Sequence, residues 1–511
     1  DLTLRPVCMT FASRMRKQVI IIGAGAGGLA AAIRLSGAGF AVTLLERHAH
    51  AGGKMRRVQV GKAQISNGPT VLTWRHIAED LLREGGALPA GDTLFLPCQR
   101  LARHAWLDGT ELDLFPDPED SRRAIRDAFG QKEAEGFRRY CQAIHTMTDN
   151  LRDSFMLAPK PDPVSLARRM GLHNPAALLA TRPFSKLAAE LRTFFSDPRL
   201  VQLFGRYATY VGSSPFLAPA TLMVVSRVEQ EGVAIVQGGM PALAGALLDA
   251  AKQLGTVFRP DTHVHRIVTK NGRVTGVELA GGEQLSASIV LFNGDASALG
   301  ASLLGESVRK AAPALPRSRR SLSAVTLCAH AKTKSFPLDY HTVLFGNDYA
   351  DEFNAIFDRR RITEEPTVYI CAEDRAEGVP SGKERLFCLV NAPADGDLAD
   401  PWFDPNTYPG WLSSYLGRFG LEVAFDPGTS VLTRPEHFAD DFPGSGGALY
   451  GAANHGPFDS FSRPSSRSGV KGLYLAGGSA HPGAGVPMAL VSGMLAASVI
   501  CQDTESAVLA G

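Results

Sequence analysis

The chain has 511 residues, 45% of them hydrophobic and 20% charged, with a formal net charge of +2. That length is too great for one simple core and predicts two domains. The near-neutral balance carries no global electrostatic signal for nucleic acid, so no nucleic-acid partner is expected.

Residues 1–16 read as a leader ahead of the fold, and no convincing signal peptide is present. The first element is the apolar, β-branched run Val19 to Ile22, which suits a buried parallel strand. It runs into Gly23-Ala24-Gly25-Ala26-Gly27-Gly28. Gly23 allows a tight turn, Gly25 lets the backbone approach a pyrophosphate, and Gly28 lets the next helix pack on the strand. An Ala- and Leu-rich helix from about Ala26 to Ala38 follows, with its positive N-terminal end available for a diphosphate. Gly39 ends it, Ala41 to Leu45 is the second strand, and Glu46 stands where a carboxylate accepts hydrogen bonds from ribose hydroxyls. An acid there would repel a 2′-phosphate, which leaves NAD or FAD.

Further on, Gly52-Gly53-Lys54 forms a loop of little bulk from which Lys54 reaches a phosphate, unless it is an exposed turn with a solvated lysine. Gly68-Pro69-Thr70 is a rigid turn after a short strand. Arg103 to Trp106 reads as a strand, with a turn at Asp108-Gly109. From about 119 to 235 the pattern is helical. Within it, residues 151–210 hold nine Lys/Arg against four acids and carry aromatic stretches at Phe184 to Phe195 and Leu200 to Val211. Gly238-Gly239-Met240-Pro241 opens a helix to about Leu254. Strands then run from Thr256 to Asn293, with turns at Asn271-Gly272 and Gly281-Gly282. Strands are also expected at Ala324 to Ala331 and Arg385 to Asn391.

The end of the chain is sharply patterned again. Leu473 to Gly478 is a strand running into glycines, His481 to Pro487 is a tight loop, and Pro487 starts a final helix rich in small residues. The uncharged stretch Val486 to Cys501 is shorter than the roughly 20 residues a bilayer requires, so no transmembrane helix is expected. Seven cysteines without CxxC or metal-like spacing read as reduced thiols in a cytoplasmic setting, with no metal site. Two glycine-rich strand-to-helix junctions at opposite ends suggest one site built from both, with long insertions forming a substrate domain. The expected fold class is α/β. A Rossmann-type nucleotide-binding domain (17–110, 236–300 and 465–503) is interrupted by a mixed α+β substrate domain (111–235 and 301–464) with a helical, membrane-facing part.

The motifs Gly23-x-Gly25-x-x-Gly28 with Glu46, Gly52-Gly53-Lys54, Gly68-Pro69-Thr70, Gly238-Gly239-Met240 and Leu475 to Pro487 resemble those of the FAD-dependent carotenoid desaturases of the bacterial phytoene desaturase type. The resemblance covers about Gln18 to Ile500, and His481 to Pro487 is its most specific motif. Leu203 to Phe216 and Leu475 to Ser479 are similar to the branch acting on hydroxy- or methoxyneurosporene. The resemblance implies a glutathione-reductase- or amine-oxidase-like fold and FAD rather than NAD. It assigns Glu46 to the adenosine ribose, Gly23, Gly25 and Gly28 to the diphosphate, and Lys54, beside Gly53, to the phosphate or ribityl. The turn Gly68, Pro69, Thr70 also belongs to the cofactor site. Val264 would meet the adenine through its backbone, and Gly477, Gly478, Pro487 and Met488 would lie along the ribityl and flavin ring.

The implied activity is introduction of a C-3,4 double bond into an acyclic 1-hydroxy or 1-methoxy carotenoid, with a quinone or O2 as electron acceptor. The chain would sit peripherally on the cytoplasmic face of the inner membrane, with region 151–210 as its docking surface. That region reads equally as an amphipathic face packed on the substrate domain. His481 is a candidate proton acceptor, unless it bonds to backbone to hold its loop. Arg206, with Tyr207, is a second candidate for the catalytic site, through contact with a substrate hydroxyl, unless the pair is a packed aromatic and a solvated arginine. Desaturation of phytoene or neurosporene, an amine-oxidase-like activity, and a non-enzymatic lipid carrier of the Rab GDP-dissociation-inhibitor type are the alternatives.

Overall fold

The computed structural model describes residues 17–87, 94–169, 180–398 and 404–509. The expected leader, 1–16, lies outside them.

One half of the molecule is built on a five-stranded sheet in the order Val257–Arg259, Ala41–Leu45, Gln18–Ile22, Ile289–Phe292, Leu473–Leu475. Every pairing in it is parallel. These short aliphatic strands are covered on both faces, so they carry apolar residues without alternation. Val19 and Ile21 face a layer of helices that includes Ala26–Gly37, Met240–Gln253 and Val486–Leu509. Ile20 and Val290 face an antiparallel three-stranded sheet, Val264–Lys270, Arg273–Leu279 and Gln284–Ser286. Its first turn is the expected Asn271-Gly272, with both residues at positive φ (52° and 73°), the conformation that favours this dipeptide.

The C-terminal helix is longer than its uncharged stretch Val486 to Cys501 suggested. Val486–Ser506 is 21 residues, long and apolar enough to cross a membrane by length and composition, but 67% of its apolar window is buried inside the protein. Its small residues let it close on the first helix. A Cβ on Gly493 would lie 2.0 Å from the Gly27 carbonyl oxygen. That proximity identifies it as a packing helix of the core.

The other half is built on a seven-stranded mixed sheet. Its order is Ser430–Thr433, Ser323–Ala331, Glu384–Ala392, Val368–Ala372, His341–Phe345, Ala102–Trp106, Glu111–Leu114. The strands expected near 324–331 and 385–391 pair with each other as its second and third members. Ala102–Trp106 is a strand, as its pattern predicts, but it pairs in parallel with His341–Phe345. That pairing puts it in the sheet of this second half, ahead of the boundary expected at residue 110. The strand's own residues favour extended backbone but hold nothing that names a partner more than two hundred positions away.

The helical segment packs against one face of this sheet, and of the two readings of 151–210, whose residues 170–179 lie outside the described ones, it favours the packed face. Phe195, Leu200, Leu203, Phe204 and Tyr207 are buried in a shared core with Phe137, Tyr140 and Phe345. Arg182 and Arg199 form ion pairs with Glu190 and with Asp197 and Asp108. Most of the aromatic character is thus core packing rather than a membrane-inserting face.

Candidate active site

A cavity of about 970 Å³ runs between the two halves. Gly23, Gly25, Glu46, Gly53 and Lys54 line it from the N-terminal βαβ unit, and Gly68, Pro69 and Thr70 from the turn that follows. Val264 lines it from the three-stranded sheet, and Gly477, Gly478, Pro487 and Met488 from the C-terminal junction. Two glycine-rich segments some 450 positions apart therefore border one space.

The βαβ end fits a dinucleotide on steric and electrostatic grounds. The helix Ala26–Gly37 has glycine as N-cap, no side-chain cap and no acid in its first turn, so nothing competes with an anion for its positive end. A Cβ on Gly53 would stand 3.2 Å from the Cα of Gly25, so both must stay small to leave room beside the helix. Glu46 is buried, accepting from the Ala24 N–H (2.8 Å) and the His48 N–H (3.0 Å). Those bonds fix the carboxylate at the cavity wall and leave oxygen lone pairs for ribose hydroxyls. Gly28 does not line the cavity. A Cβ on it would fall 2.1 Å from the Gly23 carbonyl oxygen, so it keeps the turn closed rather than touching the diphosphate, which corrects that assignment.

Asn293, at the end of the strand Ile289–Phe292, joins the two glycine junctions. Its Nδ2 donates to the Gly23 carbonyl (3.0 Å), and Cβ atoms on Gly27 or Gly477 would collide with its Oδ1 at 2.5 and 2.9 Å. It carried no assignment in the sequence, although Asn-Gly-Asp after a buried strand was a signal. Gly68 has a further reason to be glycine, since a Cβ there would lie 1.9 Å from the Lys54 carbonyl oxygen. Lys54 sends its ammonium to the Leu449 carbonyl and over the Phe442 ring at 4.9 Å. Burial lowers its pKa against the pull of Asp295. Arg463 is a second buried cation, lowered to about 10 by burial. It donates to the carbonyls of Gly478 (2.9 Å), Tyr450 (3.0 Å) and Ala452 (3.2 Å), which holds the glycine loop from behind.

His481 does not line the cavity. It is buried, with Nε2 2.9 Å from the Ala158 carbonyl and its ring edge-on to Phe155 at 5.1 Å. Burial lowers its pKa to about 4, so the ring is neutral and donates to Ala158. That bond matches the loop-holding alternative, and the ring stands outside the residues that line the cavity.

Arg206 does line the cavity. It lies beyond reach of bulk solvent at 6% exposure, so the solvated-arginine alternative is also corrected. Nη1 donates to the Tyr210 hydroxyl (3.2 Å), and the guanidinium stacks near the Tyr207 and Tyr210 rings at 5.4 and 5.1 Å. Tyr207 and Tyr210 (2.7 Å) both donate to the buried carboxylate of Glu229. Burial opposes the charge on Arg206, but Tyr210, Glu229 and Tyr207 outweigh it and raise the pKa, so the group stays protonated. A permanent cation cannot take a proton, so Arg206 is no general base. On the same wall, Tyr369 hydrogen-bonds Thr70 Oγ1 and His341 Nδ1, both at 2.6 Å.

The profile of the flavin-containing amine oxidoreductases matches residues 26–501. The chain belongs to that family. Among curated relatives, a hydroxyneurosporene desaturase of Rubrivivax gelatinosus is 44% identical over 96% of this chain and 94% of its own. A 1-hydroxycarotenoid 3,4-desaturase of a Flavobacterium strain is 31% identical over 95% and 99%. A solved putrescine oxidase with bound putrescine covers 96% of this chain and 99% of its own at 16% identity with TM-score 0.59, a likeness of fold alone. The chain is thus an FAD-dependent oxidoreductase of the carotenoid-desaturase branch.

Proposed function

We propose that this flavoprotein desaturates an acyclic C40 polyene bearing a 1-hydroxy or 1-methoxy group, introducing the C-3,4 double bond. The observation that carries this reading is one cavity bordered by both glycine junctions and continuing along a mostly apolar wall, in a chain 44% identical to a hydroxyneurosporene desaturase. Bound FAD would supply the two-electron acceptor for a hydride leaving the carbon next to the polyene. The neighbouring carbon then loses a proton, and conjugation makes that loss easy, which is why no strong base is required at the wall. The protein's own part is placement and exclusion of water. Glu46 would hold the adenosine ribose. Gly23, Gly25, Gly53 and the first helix end would take the diphosphate, with Lys54 and Arg463 adding positive charge behind the ribityl and ring. Val264 would present backbone to the adenine, and Gly68, Pro69, Thr70, Gly477, Gly478, Pro487 and Met488 would border the flavin.

The substrate is supplied from a bilayer in this reading. Phe184 and Phe458 support it: both line the cavity, are 74% and 53% exposed, and meet edge-to-face at 6.1 Å. They form an apolar rim at the cavity mouth that can dip into an interface while the protein stays peripheral. A quinone from the same bilayer, or O2, would reoxidise the flavin.

The test is anaerobic incubation of flavin-loaded protein with 1-hydroxyneurosporene in liposomes, followed by mass and NMR analysis. A product two hydrogens lighter with a new C-3,4 double bond is expected. A product altered at another position, or turnover of phytoene instead, would contradict the assignment.

A further inference from the structure

Arg206 is a buried cation with unused hydrogen-bonding capacity. Its Nε and Nη2 are enclosed and find no acceptor among the described residues, and the guanidinium would have to turn toward the cavity that the side chain borders to use them. A buried guanidinium with unfilled donors is costly unless something fills them. What fills them is constrained by the surroundings. The charge is already balanced by Glu229 through the Tyr210 hydroxyl, which accepts from Arg206 and donates onward to the carboxylate. The nearest histidines, His104 and His341, are held neutral by burial and by Arg206 itself. A second carboxylate or a phosphate would upset that balance, whereas a neutral oxygen acceptor would not. Arginine has donors only, so a hydroxyl and an ether oxygen serve alike.

We infer that Arg206, oriented by Tyr210 and Glu229, is the specificity-determining residue that binds the terminal oxygen of the polyene and so selects oxygenated over purely hydrocarbon substrates. This rests on the desaturase reading for the identity of the polyene. The guanidinium fork gives direction to the bond, and the Tyr207 and Tyr210 rings restrict its swing. A hydrocarbon end would leave two buried donors unpaired, which is the kind of contrast that discriminates strongly.

The test is equilibrium binding of 1-hydroxyneurosporene and neurosporene in detergent micelles, followed by quenching of intrinsic tryptophan fluorescence. Wild type, Arg206→Lys and Arg206→Met are compared, each first checked for flavin content and thermal stability. Wild type should prefer the hydroxylated polyene by about tenfold or more. Arg206→Lys, which keeps the charge but loses the fork, should retain part of that preference, and Arg206→Met should bring the two affinities within about threefold. If Met leaves the Glu229 charge unsupported and the protein does not fold, Arg206→Met combined with Glu229→Gln removes both charges and gives the same comparison. A preference unchanged in the variants, or absent in wild type, overturns the inference. Wild type that discriminates through Arg206 but oxidises neither polyene would leave the binding role standing and remove the desaturase reading. Wild type that oxidises the hydroxylated polyene with a preference indifferent to Arg206 would do the reverse.

Discussion

The two ends of the cavity are made of different materials. The dinucleotide end is made of backbone: glycines at 23, 25 and 53 with Gly28 closing the turn behind them, a helix N-terminus, and one carboxylate held by main-chain N–H groups. The far end is lined by side chains from separate elements, Arg206 and Tyr210 on one short helical turn and Tyr369 on a strand, backed by Glu229 on a helix and His341 on a second strand. The first arrangement tolerates almost no added atoms but needs few identities. The second depends on identities and can be retuned one residue at a time. An enzyme that keeps its cofactor while changing its polyene would be expected to vary the second end.

The sharpest way to break this contrast is a single methyl at the backbone end. Gly28→Ala places a Cβ 2.1 Å from the Gly23 carbonyl oxygen, where neither group is able to retreat. We expect colourless protein with less than about one-tenth of the wild-type flavin, since overpacking costs about 1–3 kcal/mol even where neighbours can yield. Flavin absorbance per polypeptide measures it, and a fully yellow variant would refute the steric account.

Glu46→Ala is the next largest. It removes the acceptor at the ribose and the anchor of Ala24 and His48, and should weaken FAD binding about 10- to 100-fold, the range for hydrogen bonds to a charged group. Flavin fluorescence titration of deflavinated protein would read it.

A third effect is read by pH at the buried histidines behind the cavity walls. Burial lowers His481 to about 4 and His104 and His341 to about 3. In the unfolded chain each titrates near about 6.5, so below that pH the unfolded state binds more protons. Stability should be fully present above about 6.5 and fall progressively as pH drops toward 4. Each group contributes on the order of 3 kcal/mol across its window. Denaturant melts between pH 7 and 4.5 should show the decline, and a flat profile would contradict the buried neutral rings.

The smallest expected effect is at His481. Gln there keeps a donor for the Ala158 carbonyl, so single-turnover flavin reduction should stay within about threefold of wild type. A loss beyond about 100-fold with flavin still bound would restore His481 as the base.

The contrast also explains which parts were readable in the sequence. Gly23, Gly25 and Glu46 were legible because turn, helix start and strand end follow one another along the chain, so local spacing carries the geometry. The C-terminal junction was legible for the same reason. Arg206 was visible with Tyr207, but Tyr210, four positions on, carried no role of its own in the sequence, Glu229 completes the group from another helix, and Tyr369 lies on a distant strand. Nothing local announces that convergence. Ala102–Trp106 was correctly extended and misplaced by domain, because pairing with His341–Phe345 is a tertiary choice. For His481 the motif left a base and a loop-holding ring open, because its partners Ala158 and Phe155 lie more than three hundred positions away.

In the proposed reaction one flavin, held where the two glycine junctions meet, oxidises the polyene directly. Anaerobic stopped-flow mixing of flavin-loaded protein with one equivalent of 1-hydroxyneurosporene measures it. The account predicts bleaching of one flavin for each desaturated polyene formed, at matching rates. Product formed without flavin bleaching, or equally well by protein stripped of flavin, would contradict it.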